Sequence, residues 1–131
     1  MIFGFGKIKL RGIDRRIVTD GPIMLEYESA EEIGRVRIGK EHFFYRDLGK
    51  RYYVPFSYIH RSFTRISECA PDDSPAYYYY RLVLVHDEKE FANLIFNDEK
   101  DVDRIHTILQ ERHPEIQYGY IKAEKERPKF S

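Results

Sequence analysis

Tryptophan is missing from this chain, and cysteine is reduced to Cys69 alone. One thiol cannot close an internal disulfide, so a reducing cytoplasm is the expected compartment. Net charge is missing too: 22 Lys and Arg against 22 Asp and Glu leave a formal charge of zero. Phosphate neutralisation supplies most of the affinity of nucleic-acid binders, so no nucleic-acid partner is expected. The longest apolar runs last only a few residues, far short of the roughly 20 that span a bilayer, and no transmembrane segment is expected. The first residues, 1–7, lack the basic leader and apolar core of a secretory signal.

Signatures of chemistry are equally sparse. His42, His60, His86, His106 and His113 form no H-E-x-x-H or comparable cluster with Cys69, so no metal site is expected. Gly4-Phe5-Gly6 lacks the spacing and the strand-to-helix setting of a dinucleotide loop, and no cofactor is expected. Asp72 and Asp73 are neighbours on an extended acidic loop, where adjacent carboxylates point apart. An enzyme is therefore not the leading expectation. The enzymatic alternative is a hydrolase using Cys69 with a histidine, which needs at least two of Cys69, His60, His86, Asp72 and Asp73 in one concave site.

What the chain does have is aromatic strand material. It holds 11 Tyr and 9 Phe in 131 residues, enough length for one domain with its own core. Tyrosine suits a sheet, where its ring covers one face while its hydroxyl stays wet. Residues 7–11 alternate at period two and read as an edge strand, although 1–20 as a whole carries no single assignment. Gly21-Pro22 marks a turn, residues 23–28 read as a short strand, and residues 29–32 as a helical turn capped by Ser29. Strand signals then become regular at 35–38, 41–46 and 50–54, the last two joined by a three-residue hairpin loop, Asp47-Leu48-Gly49. Residues 61–68 alternate. Residues 77–86 and 90–96 are long strands around a short turn near Asp87-Glu88, the first of them central and covered on both faces.

One strong helix follows, at about 98–113. Asn97 or Asp98 caps it, acidic residues fill its first turn, and Pro114 stops it. Val102, Ile105, Ile108 and Leu109 recur at helical spacing and should face the sheet. From 121 to 131 the chain becomes a charged tail, expected to be mobile. The fold expectation is thus mainly β (α+β): a single domain, 1–131, in which a curved antiparallel sheet or partly open barrel of six to seven strands carries one C-terminal helix.

That order of elements, together with the run Arg35-Val36-Arg37-Ile38-Gly39 and the phrase Tyr52-Tyr53-Val54-Pro55-Phe56-Ser57-Tyr58-Ile59, resembles the pleckstrin-homology-like (PH-like) superfold, and in particular its small bacterial members. The resemblance covers roughly 33–118. It implies a binding or scaffolding module. In peptide-binding relatives a strand is added beside the groove between helix and sheet edge. Eukaryotic members often bind phosphoinositides through Lys and Arg flanking the first hairpin. Lys40, Arg46, Lys50 and Arg51 lie in a comparable hairpin here, although Arg35-x-Arg37 precedes Lys40 where a Lys/Arg-x-Arg pattern should follow it.

The leading functional expectation is therefore a non-enzymatic module that binds a protein partner or a second copy of itself. The alternative is an anionic-lipid or phosphate group held by Lys40, Arg46, Lys50 and Arg51, with Arg46, Lys50 and Arg51 clustered at the hairpin tip.

Overall fold

The computed structural model describes residues 8–69, 72 and 75–119. The chain divides into two compact units, Met1–Tyr58 and Ile59–Ser131. The expected tail at 121–131, the Gly4-Phe5-Gly6 run and Asp73 lie outside the described residues.

The first unit contains β1 (Leu10–Arg11), β2 (Ile17–Val18), α1 (Pro22–Ser29), β3 (Glu31–Ile33), β4 (Val36–Ile38), β5 (His42–Asp47) and β6 (Lys50–Pro55), ending in a 3-10 turn at Phe56–Tyr58. Its six strands form one sheet in the order β2-β1-β6-β5-β4-β3. From β3 to β6 the chain is an antiparallel meander. The β5–β6 turn is shorter than expected. Asp47 pairs with Lys50, so the loop is Leu48-Gly49 alone, both at positive φ (52° and 78°). Two left-handed residues in a row match the right-handed twist of the flanking strands, which is why hairpins favour this turn. Phe43, Phe44 and Tyr45 are all buried, so both faces of β5 are covered. Leu10, Met24, Tyr27, Phe44 and Tyr53 pack as one cluster, which places α1 over the Phe44 face.

Three expectations are corrected here. Residues 23–28 are helical rather than extended, because Pro22 presets the first helical φ and Met24, Leu25 and Glu26 are good helix formers. Ser29 ends that helix instead of capping a new one. Its hydroxyl donates back to the carbonyls of Leu25 (3.2 Å) and Glu26 (3.3 Å), while Glu31 and Glu32 belong to a strand. Finally, β1 is no edge strand: it lies between β2 and β6, antiparallel to the first and parallel to the second.

The second unit contains β7 (Arg61–Cys69), β8 (Tyr77–His86), β9 (Lys89–Phe96), α2 (Glu99–Arg112) and β10 (Gln117–Tyr118), its sheet ordered β10-β7-β8-β9. β8 is central as expected, and Leu82, Val83, Leu84 and Val85 are buried on both faces, but Tyr77 and Tyr78 at its start are half exposed. The Asp87-Glu88 turn is as short as expected, with both residues at positive φ (50° and 65°). α2 follows its sequence signals closely. Asp98 caps it by accepting the Lys100 N–H at 2.9 Å, Glu99 and Asp101 fill the first turn, and Val102, Ile105 and Leu109 are fully buried.

The protein is therefore mainly β, with two sheets and two helices among the described residues. Neither sheet closes on itself, and two parallel pairings, β1–β6 and β7–β10, interrupt the expected antiparallel order. Both involve strands of two residues whose partners are distant in sequence, a pairing that hydrophobic periodicity does not encode.

Candidate functional site

Directly opposed residues of a sheet share a face, and so do residues two apart on one strand. Arg37 stands opposite Glu32 on one side and Phe44 on the other; Arg46 stands opposite Arg51. Arg35 joins them at the β3–β4 turn, where its carbonyl accepts the Arg46 N–H at 2.9 Å. The fold thus gathers Arg35, Arg37, Arg46 and Arg51 around a shallow depression bordered by Tyr27 of α1 and by Glu32.

Tyr27 organises two of these arginines. The Arg37 guanidinium lies over the Tyr27 ring, 4.3 Å from its centroid, and donates through Nη1 to the Tyr27 carbonyl at 3.0 Å. Arg51 Nε donates to the Tyr27 hydroxyl, also at 3.0 Å. The tyrosine is itself fixed, edge-on to Phe44 at 5.3 Å between centroids. Two carboxylates oppose the arginines: Glu32 lies 3.6 Å from Arg37, and Asp47 reaches Arg35 only at 4.0 Å. The Arg46 side chain is exposed and makes no hydrogen bond or ion pair with a described residue. Four guanidinium groups against two carboxylates leave a local excess of two positive charges on a neutral chain.

Of the residues expected at a basic hairpin, the structure brings Arg46 and Arg51 together and leaves Lys40 and Lys50 apart from them. Lys50 stands opposite Asp47, one step along the strand and so on the other face. Lys40 is exposed in the β4–β5 turn, at the other end of the ladder. Arg35, Arg37 and Tyr27 were not expected in the site. The alternation Arg35-Val36-Arg37 was a visible signal that both arginines share one face; nothing comparable pointed to Tyr27, which comes from a helix read as a strand.

The second unit holds three other groups with chemical potential. Cys69 pairs with Tyr77 at one end of the β7–β8 ladder, and Asp72 lies in the loop beyond. His60 and His86 lie at the opposite end, nine residues or about 30 Å away. Their rings lie tilted against each other with centroids 4.4 Å apart, and the Asp87 carboxylate is 3.7 Å from each. His60 Nδ1 also accepts the Asp87 N–H at 3.1 Å. The cysteine and these two histidines are thus held apart, and the described residues contain no group of three or more ligands suited to a metal ion.

The third group sits beneath α2. His106 Nε2 lies 2.8 Å from Ser62 Oγ, and Nδ1 lies 3.4 Å from Thr64 Oγ1. Burial pushes the imidazole pKa down to about 4, with Asp103 opposing. Ser62 has no exposed surface, and its contact with His106 ties α2 to β7. Elsewhere Arg65 grips Glu90 with two prongs and holds its carboxyl below the usual value, against burial that raises it.

Among the described residues no helix is long and apolar enough to cross a membrane. Comparisons with protein-family models, with curated proteins and with solved structures find no match.

Proposed function

We propose that this protein is a non-enzymatic interaction module that docks an acidic segment of a protein partner in the arginine cleft of its first unit. The observation that supports this most is the convergence of Arg35, Arg37, Arg46 and Arg51 around one depression, where Glu32 and Asp47 are the carboxylates that reach them among the described residues. Guanidinium forks match carboxylate oxygens in pairs, and a planar donor already held by a neighbour loses little freedom on binding. The depression encloses only about 10 Å³, room for about one water. Enclosed small-molecule sites run from roughly 300 to 1,000 Å³ and bury most of their ligand. A shallow, charged cleft suits a group that projects from a larger partner.

A PH-like architecture is part of the same proposal. Its support is the succession of a four-stranded antiparallel meander (β3–β6), a three-stranded one (β7–β9) and a helix (α2), with β1, β2 and α1 as an N-terminal addition. A cytoplasmic location accords with the single thiol.

The test is calorimetric titration with a hexaglutamate peptide, at low salt and again at raised salt, where screening weakens exposed ion pairs. The wild type should bind, raised salt should weaken it, and Arg46→Glu should abolish it while leaving the circular dichroism spectrum unchanged. Absence of binding at low salt would remove the proposal. Vesicles of neutral lipid with and without an anionic component form a second arm: binding to anionic vesicles but not to the peptide would replace a protein partner with a membrane surface.

A further inference from the structure

Helix α1 is a poor helix by its own resources. It has eight residues, no side-chain cap at Gly21, no acidic residue in its first turn and no basic residue in its last. Isolated helices shorter than about 12 residues are marginal in water. Leu25, two-thirds exposed, contributes little to its attachment. What holds α1 is therefore tertiary: Met24 and Tyr27 in the cluster with Leu10, Phe44 and Tyr53, and the Glu26 carboxylate, which accepts the N–H groups of Glu41 and His42 at 2.7 Å each. To these are added the three contacts of Tyr27 with Arg37 and Arg51, the same two guanidinium groups that line the cleft.

We propose that α1 is a ligand-responsive element, coupled to the arginine cleft through Tyr27 as a positioning residue. This rests on the anion-docking reading above. The coupling follows from shared side-chain entropy. A free arginine side chain carries roughly 2 kcal/mol of rotamer freedom. Docking of α1 restricts Arg37 and Arg51 once; an anion that binds afterwards finds them already restricted. Conversely, an anion that fixes the two guanidinium groups on the cleft side presents them ready for Tyr27. Two events that need the same ordering favour each other, and the coupling is reciprocal. Occupancy of the cleft therefore tightens α1 on the sheet, and loosening α1 weakens the cleft.

The experiment is amide hydrogen exchange on the full chain with and without hexaglutamate, alongside titration of Tyr27→Phe. The phenylalanine keeps the ring under Arg37, the main-chain acceptor and the packing on Phe44, and removes only the hydroxyl that receives Arg51. In the wild type, saturating peptide should slow exchange of the α1 amides by more than those of α2. Tyr27→Phe should lose about three- to tenfold in peptide affinity, the scale of one hydrogen bond, with the thermal midpoint lowered by about a few degrees at most. A wild type that binds peptide without added protection in α1, or a Tyr27→Phe variant that binds as tightly as wild type, would overturn the coupling while leaving the docking reading intact. A wild type that does not bind overturns both.

Discussion

Ser62 Oγ and His106 Nε2 lie 2.8 Å apart beneath α2, a contact that joins residues 44 positions apart and holds a neutral imidazole in the packed layer between helix and sheet. Thr64 on the same strand, Asp103 on the helix and the edge of Tyr118 at 6.0 Å complete its surroundings. Because burial lowers the folded-state pKa to about 4, below the unfolded value of roughly 6.5, the unfolded chain takes up this proton first. The contribution to stability is present above pH 6.5 and is lost progressively as pH falls towards 4, amounting to about 3 kcal/mol. Urea unfolding across that window should show the loss in the wild type, and His106→Gln, which cannot titrate, should show a flatter profile. Parallel profiles would mean that His106 does not set this dependence.

The apolar stripe of α2 gives the largest expected core effect. Ile105 is fully buried, so Ile105→Ala should cost about 2–5 kcal/mol in a denaturant titration. Ile108, expected from its spacing to lie in the same stripe, is only half buried, and Ile108→Ala should cost clearly less.

Gly39 is tied to Glu26 by space. A Cβ at position 39 would collide with the Glu26 carboxylate, which cannot swing aside without releasing the N–H groups of Glu41 and His42 and the His42 ring nitrogen at 2.7 Å. Gly39→Ala should destabilise by about 1–3 kcal/mol. In a Glu26→Ala background most of that penalty should vanish, and a double-mutant cycle on the urea midpoint measures the coupling.

The β8–β9 turn stores a small strain. Glu88 sits at φ 65°, a conformation that disfavours L-residues other than Asn and Asp. Glu88→Gly should raise stability by up to about 1 kcal/mol, seen as a higher thermal midpoint. Asp87→Gly should gain less, since aspartate tolerates this region.

Elements whose signals are local were legible in the sequence. α2 carries its own cap, stripe and stop, and the β5–β6 and β8–β9 hairpins carry their own turns. α1 was misread because Ile23, Met24 and Leu25 make a continuous apolar run without a helical stripe, and because Ser29 is as plausible before a helix as at its end. Half of the arginine cleft was legible for the same reason that the hairpin was: Arg46 and Arg51 face each other across a turn. The other half depends on Arg37 meeting Tyr27, a contact between a strand and a helix that no spacing announces. Lys40 and Lys50 belong to the hairpin by position and charge, but strand alternation sends Lys50 to the opposite face.

The parallel pairing of β1 with β6 sets an order of events during synthesis. Leu10 and Arg11 have hydrogen-bonding partners in Arg51 and Tyr52, residues that the ribosome adds some forty positions later. β1 therefore cannot join its sheet when it emerges. The β3–β6 meander, whose neighbours in space are neighbours in sequence, can assemble by itself, while β1 can pair only with β2 until β6 has been made. Leu10, with no exposed surface in the finished protein, is thus a core residue whose partners Phe44 and Tyr53 are added only about a third of the chain later.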